Sequence, residues 1–197
     1  MLVASPKSGI KSVQDLIQYA KTKPGEITYG SPGVGTPHHM AMELLKTRAG
    51  MVMLHVPYRG SSGYVQDLLA GELNVGFLPF HVAQSFIRDG RLVPLAVGSV
   101  KRHPVAPNVP TLSEQGLKDT EMEMWFGYFV PAKTPASVVT KLHDAVSAVL
   151  AMPELKSVLS KAGLEADASS PAELHQMVRK DYVRWGMVIR KNNITAD

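Results

Sequence analysis

The sequence predicts an α/β fold: a mostly parallel sheet covered by helices, followed by a helical tail. Three observations carry this. Short apolar runs alternate with helix-spaced segments over the first hundred residues, and the connections between them are short. The runs are apolar throughout rather than alternating, as strands buried on both faces should be. Beyond Pro131 the runs stop and amphipathic helical spacing takes over.

The elements follow in order. Ser12 and Asp15 form a capping-box-like pair ahead of a helix with Val13, Leu16, Ile17 and Ala20 on one face, and Pro24-Gly25 ends it. Ile27-Thr28-Tyr29 is β-prone and leads into a Gly-rich turn, which opens a helix carrying Met40, Leu44 and Leu45 to about Arg48. Met51–Val56 reads as a strand, and Tyr64, Val65, Leu68 and Leu69 as a helix stopped at Gly71. Leu73–Phe77 is a strand, and Val82, Ala83, Phe86 and Ile87 mark a helix stopped at Gly90. Leu92–Val97 is a strand again. After a loop punctuated by Pro104, Pro107 and Pro110, Glu121–Val130 reads as one long strand. Thr134-Pro135 then starts a helix with Val138, Val139, Leu142, Val146, Val149 and Leu150 on one face, and a short helix follows Pro153. Ser170-Pro171-Ala172-Glu173 is a second capping box, opening a helix with Leu174, Met177, Val178, Tyr182, Trp185 and Ile189. That tail presents a large apolar stripe with little sheet of its own to cover.

Composition narrows the function. With 45% hydrophobic and 19% charged residues, the 197-residue chain can bury a core as one large domain or two small ones. Its net charge of +4 is mildly basic, but Lys and Arg are scattered without interleaved stacking aromatics, which argues against nucleic acid. Such a surface still draws in small anions. The absence of cysteine excludes disulfides, thiolate nucleophiles and thiolate metal sites. No apolar run reaches transmembrane length, and Met1–Pro6 has no charged region leading into an apolar core, so no export signal is read here.

The chemistry concentrates in Tyr29-Gly30-Ser31-Pro32-Gly33-Val34-Gly35-Thr36-Pro37-His38-His39-Met40. Thr36 is placed as N-cap and Pro37 as the first helical residue, where its missing N–H costs nothing. Gly33 and Gly35 let a ligand approach the backbone. The expected product is an array of unpaired amides at residues 33–36, at the positive end of a helix, suited to a carboxylate or phosphate. The plainer alternative is a tight strand-to-helix connection with glycines for geometry only. Val56-Pro57-Tyr58-Arg59-Gly60 ends the next strand, on the edge where open α/β sheets hold ligands. His38 and His39 point about 100° apart on a helix and cannot chelate one ion together. No metal or cofactor is therefore expected. One of the two should lie near the ligand and the other pack or cap, while His55 reads as structural. No nucleophile–base pair, GxSxG or P-loop lysine is present, so no catalysis is expected. Two alternatives remain: an α/β enzyme binding a phosphorylated small molecule at the same helix start, and a ligand-sensing regulatory module.

Four spaced motifs resemble one family in order: Tyr29–His39, His55–Gly60, Pro110–Gly116, and Trp125-Phe126-Gly127 with Pro131–Pro135. They look like those of the Bug-type extracytoplasmic solute receptors of tripartite tricarboxylate transporters. The resemblance implies a type II periplasmic-binding-protein-like fold, two α/β domains joined by crossing strands around a cleft. In those terms residues 1–123 are domain two, 124–134 a crossing strand and hinge, and 135–197 the helical return to an incomplete domain one. Trp125, Tyr128 and Phe129 are then expected to pack on neighbouring elements. One cleft wall is missing, so weak ligand affinity and self-association through the exposed helical tail are expected. The resemblance further implies a small carboxylate ligand, transporter membrane subunits as partners, and a periplasmic location. It implies a ligand site at Ser31, Gly33, Gly35, Thr36, His38 and Tyr58. Phe77 and Leu78 would form an apolar lip where many relatives carry an acidic residue.

Overall fold

The computed structural model describes residues 1–161 and 163–195. They fall into two compact units: Met1–Met124 together with the residues from Met187 on, and Trp125–Gly186.

The first unit is built on a five-stranded sheet. Its strands are β1 (Leu2–Ala4), β2 (Thr28–Ser31), β3 (Leu54–Pro57), β4 (Val75–Phe77) and β5 (Val93–Ala96), in the order β3-β2-β4-β1-β5. β2 pairs in parallel with β3 and β4, as the rhythm of the sequence requires. The expectation of a mostly parallel sheet needs correcting at β1, which runs antiparallel to both β4 and β5. Three residues are too few to show periodicity. Burial decides instead: Leu2 and Ala4 pack on one face and Val3 on the other, all fully buried. At the opposite edge, β3 is not buried on both faces, and Leu54 is exposed.

Helices α1 (Val13–Thr22), α2 (Pro37–Ala49), α3 (Ser61–Ala70) and α4 (Phe80–Arg88) link the strands. Ser12 Oγ accepts the Asp15 amide at the start of α1, at 3.0 Å, as its capping pattern predicts. Left-handed glycines, Gly50 and Gly71, end α2 and α3. The core has two layers. Leu2, Leu16, Tyr29, Met42, Leu45, Val75 and Phe77 fill one face of the sheet. Val3, Tyr64, Leu68, Leu73, Leu78 and Leu92 fill the other.

On that second face the Tyr64 side chain packs close against Gly30 and Gly76, which are paired partners in β2 and β4. A Cβ at Gly76 would stand 2.2 Å from the Tyr64 oxygen, and one at Gly30 2.4 Å from the ring. The buried hydroxyl donates to the Phe77 carbonyl at 2.6 Å, at the carboxyl end of the sheet. Two glycines are thus fixed by close approach of an aromatic ring.

Residues 121–130 do not form the expected strand. A strand exists only through a ladder of bonds to a neighbour. Here the Met122 amide donates to Gly98 O at 2.7 Å, and no further strand pairing follows among the described residues. In the second unit, α5 (Ala136–Ala151), α6 (Pro153–Lys161) and most of α7 (Pro171–Lys191) take the places the sequence indicates. Ser170 and Glu173 cap α7 reciprocally. Trp125 Nε1 donates to Asp181 at 2.7 Å. Tyr128 and Phe129 are exposed rather than packed, which corrects the expected crossing-strand packing for these two, and Phe126 is exposed as well. Among the described residues, no helix is long and apolar enough to cross a membrane.

Candidate functional site

The carboxyl ends of β2 and β3 bring two turns side by side. Tyr58 N–H donates to Ser31 O at 2.9 Å, and Gly60 N–H to Pro32 O at 3.0 Å. The Gly-rich turn then delivers the chain into α2 with Thr36 as N-cap and Pro37 in the first turn. Gly33 and Gly35 take positive φ of 148° and 74°, which L side chains rarely adopt.

Within that turn, the expected array of unpaired amides is smaller than the sequence suggests. The Gly33 amide donates to Ser31 Oγ at 3.2 Å, the Gly35 amide to His39 Nδ1 at 3.1 Å, and the Thr36 amide to Gly33 O at 3.3 Å. Across residues 33–39, the amides of Val34, His38 and His39 have no acceptor among the described residues. Three donors at the positive end of a thirteen-residue helix still make an anion-attracting position. The Thr36 hydroxyl does not cap the helix; it donates to Gly33 O at 2.7 Å and ties the turn shut.

The other residues named from the sequence divide between the turn and the core. Ser31 is fully buried, and its hydroxyl lies 2.7 Å from His55 Nε2 and 3.0 Å from Gly33 O. It therefore shapes the turn from beneath. His38 is half-buried in the first turn of α2, edge-on to Tyr64, with Nδ1 lacking a partner among the described residues. Burial holds its imidazole neutral, below the ordinary histidine range. Tyr58 is half-buried and donates to Asp67 at 2.5 Å; burial and that carboxylate push its phenol up to about 12. The lip expected from Phe77 and Leu78 is core instead, with exposures of 6% and 3%. They sit at the end of β4 with side chains in opposite layers, Phe77 in one and Leu78 in the other.

A cluster that was not foreseen lies against the turn on the α2 side. The rings of His39 and His55 stack at 4.0 Å, and His55 stacks on Tyr29 at 4.8 Å. Tyr29 donates its hydroxyl to Glu43, which also pairs with Lys46 at 2.5 Å. Burial above all, and the neighbouring His39, pull His55 down to about 4. The signal was present in the sequence: His39, Glu43 and Lys46 recur at helical spacing, and Tyr29 and His55 are register partners of β2 and β3.

The model of the tripartite tricarboxylate transporter family receptor matches residues 1–194 of this chain. The chain belongs to that family. A relative from Pseudomonas sp. (strain P51), the UPF0065 protein in the tcbD-tcbE intergenic region, is 34% identical over the whole chain. This chain spans 59% of that relative's length. Among solved structures, R. palustris Rpa4515 with adipate is 31% identical with a TM-score of 0.87, covering 99% of this chain and 65% of its own. MatC from Rhodopseudomonas palustris with bound malate is 25% identical with a TM-score of 0.82, covering 96% and 65%. The mixed α/β fold is therefore that of these solved structures, and this chain spans about three fifths of the length of the proteins it matches.

Proposed function

We propose that this chain is part of an extracytoplasmic receptor that captures a small carboxylate and hands it to the membrane subunits of a tripartite tricarboxylate transporter, with no chemical step. The observation that carries the reading is the α2 start. The free amides of Val34, His38 and His39 point from a positive helix end, at the carboxyl edge of the sheet, beside the Tyr58 turn. Gly33, Gly35 and Thr36 would admit one carboxylate to that edge, Ser31 would hold the turn in shape, and His38 and Tyr58 would flank it. Phe77 and Leu78 would support the floor rather than touch the ligand. The family, and the adipate and malate named for two similar structures, support the ligand class. Charge-assisted bonds from such amides contribute about 1.5–3 kcal/mol each.

Residues 1–123 would form the ligand-binding lobe, 124–134 the hinge, and 135–197 the return to the other lobe. The exposed apolar residues of α5 and α7 would draw in a second copy of the chain. Titration calorimetry and thermal shift with adipate and malate test the reading. Stoichiometric, saturable binding with a raised melting temperature is expected. Turnover of a phosphorylated substrate at this turn, with no carboxylate binding, would replace the receptor by an enzyme.

A further inference from the structure

The two histidines behind the Gly-rich turn each hold one of its polar groups. His39 Nδ1 accepts the Gly35 amide at 3.1 Å, and His55 Nε2 meets Ser31 Oγ at 2.7 Å. Ser31 Oγ in turn accepts the Gly33 amide. The rings are nearly parallel in their stack, 5° apart at 4.0 Å. A cavity of about 290 Å³ opens onto both, bounded by Val34, Glu43, Lys46 and Asn192–Thr195, and admits water to the imidazoles. Val34 and His39, two of the residues whose amides are free, also line this cavity.

We propose that His39, backed by His55, positions the Gly-rich turn only while it is neutral, so that its protonation releases the Gly35 amide and weakens carboxylate capture. The carboxylate half of this rests on the function proposed above; the positioning half does not. A ring nitrogen accepts a hydrogen bond only when it carries no proton. The Gly35 bond therefore fixes neutral His39 as the tautomer with its proton on Nε2, which lies 3.9 Å from Glu43 Oε1. A second proton must go to Nδ1. There it opposes the Gly35 N–H donor to donor, and the bond is lost.

His55 behaves differently. Its Nε2 can accept the Ser31 hydroxyl or donate to it, because that hydroxyl has Gly33 O as a second acceptor. Protonation of His55 leaves the turn intact, but a charge 4.0 Å away opposes a second charge on His39. The groups facing the pair are Tyr29 from β2, Glu43 and Lys46 from α2, and Asn192–Thr195 from the C-terminal segment. Glu43 favours a charged His39, whereas burial and Lys46 oppose it, and burial is the larger effect. Neutral His39 is the resting form at neutral pH, and release belongs below the ordinary histidine range.

The test follows the Gly35 amide and the His39 ring by nuclear magnetic resonance in the ligand-free 197-residue chain from pH 7.5 to 4.5. The Gly35 resonance is expected to move, and its protection from exchange to fall, in step with His39 protonation. H39N places an amide oxygen where Nδ1 stood and should keep Gly35 protected at every pH. H39L should leave it unprotected at every pH. A Gly35 amide indifferent to His39 protonation, or one still protected in a folded H39L, overturns the proposal. Should H39L not fold, the wild-type titration and H39N still decide. Adipate affinity is then compared between wild type and H39N, which cancels titration of adipate itself. The ratio is expected to fall at least threefold against wild type between pH 7 and pH 5. A constant ratio between two binding proteins overturns the coupling. No adipate binding by either protein, with Gly35 following His39, upholds the positioning role and overturns the carboxylate reading instead.

Discussion

Thr36 shows how one side chain governs the turn without touching the helix it precedes. Its hydroxyl closes the turn onto Gly33 O, a bond contributing about 0.5–1.5 kcal/mol. Thr36→Ala is therefore expected to weaken adipate binding several-fold with little loss of melting temperature; unchanged affinity by calorimetry would place the ligand elsewhere. His55 sets a pH window for stability. Its pKa is about 4 in the fold against 6.5 ordinarily, so the unfolded chain takes up the proton first as the pH falls. Stability from this group is complete above pH 6.5 and is lost progressively toward pH 4. His55→Gln, which can hold Ser31 without titrating, should flatten that decline; parallel melting curves against pH for the two proteins would refute the assignment. The pattern of residues announced the turn, the N-cap and Pro37. It did not announce that the Gly33 and Gly35 amides are already engaged, because the side chains that accept them, Ser31 and His39, are both packed against His55 from the next strand.

Among the elements, the junction of α3 with β2 and β4 is the most constrained. Tyr64 fills the space that Cβ atoms at Gly30 and Gly76 would need, and its hydroxyl ends on Phe77 O. Gly76→Ala should cost about 1–3 kcal/mol by overpacking, and Tyr64→Phe about 1 kcal/mol through the lost bond. Denaturant unfolding checks both, and a Gly76→Ala protein as stable as wild type would mean the ring moves aside freely. Long periodic segments were legible: α1, α2, α3, α4, α5 and α7 follow their apolar spacing and their caps. Short or partnerless segments were not. β1 has three residues and is defined by its neighbours, while 121–130 has strand-like composition but no ladder to join.

At the scale of the whole molecule, the second unit keeps a large apolar surface in solvent. Phe126 and Tyr128 are 74% and 84% exposed, and Leu142 and Val149 on α5 are exposed as well. Light scattering at rising concentration is expected to give a mass above that of one chain; a clean monomer would argue against self-association through this surface. Family membership rests on a match along residues 1–194, and the resemblance was readable from four short local strings, Tyr29–His39 among them. Local sequence by itself determined the helices, their caps and the Gly-rich turn that opens α2, since each depends on residues within one or two turns of each other. Only the tertiary structure decided the antiparallel β1, the Tyr64 platform and the Tyr29–His55–His39 stack. Those depend on pairings between residues far apart in the chain, and a hydrogen bond or a stacked ring exists only once both partners have been brought to the same place.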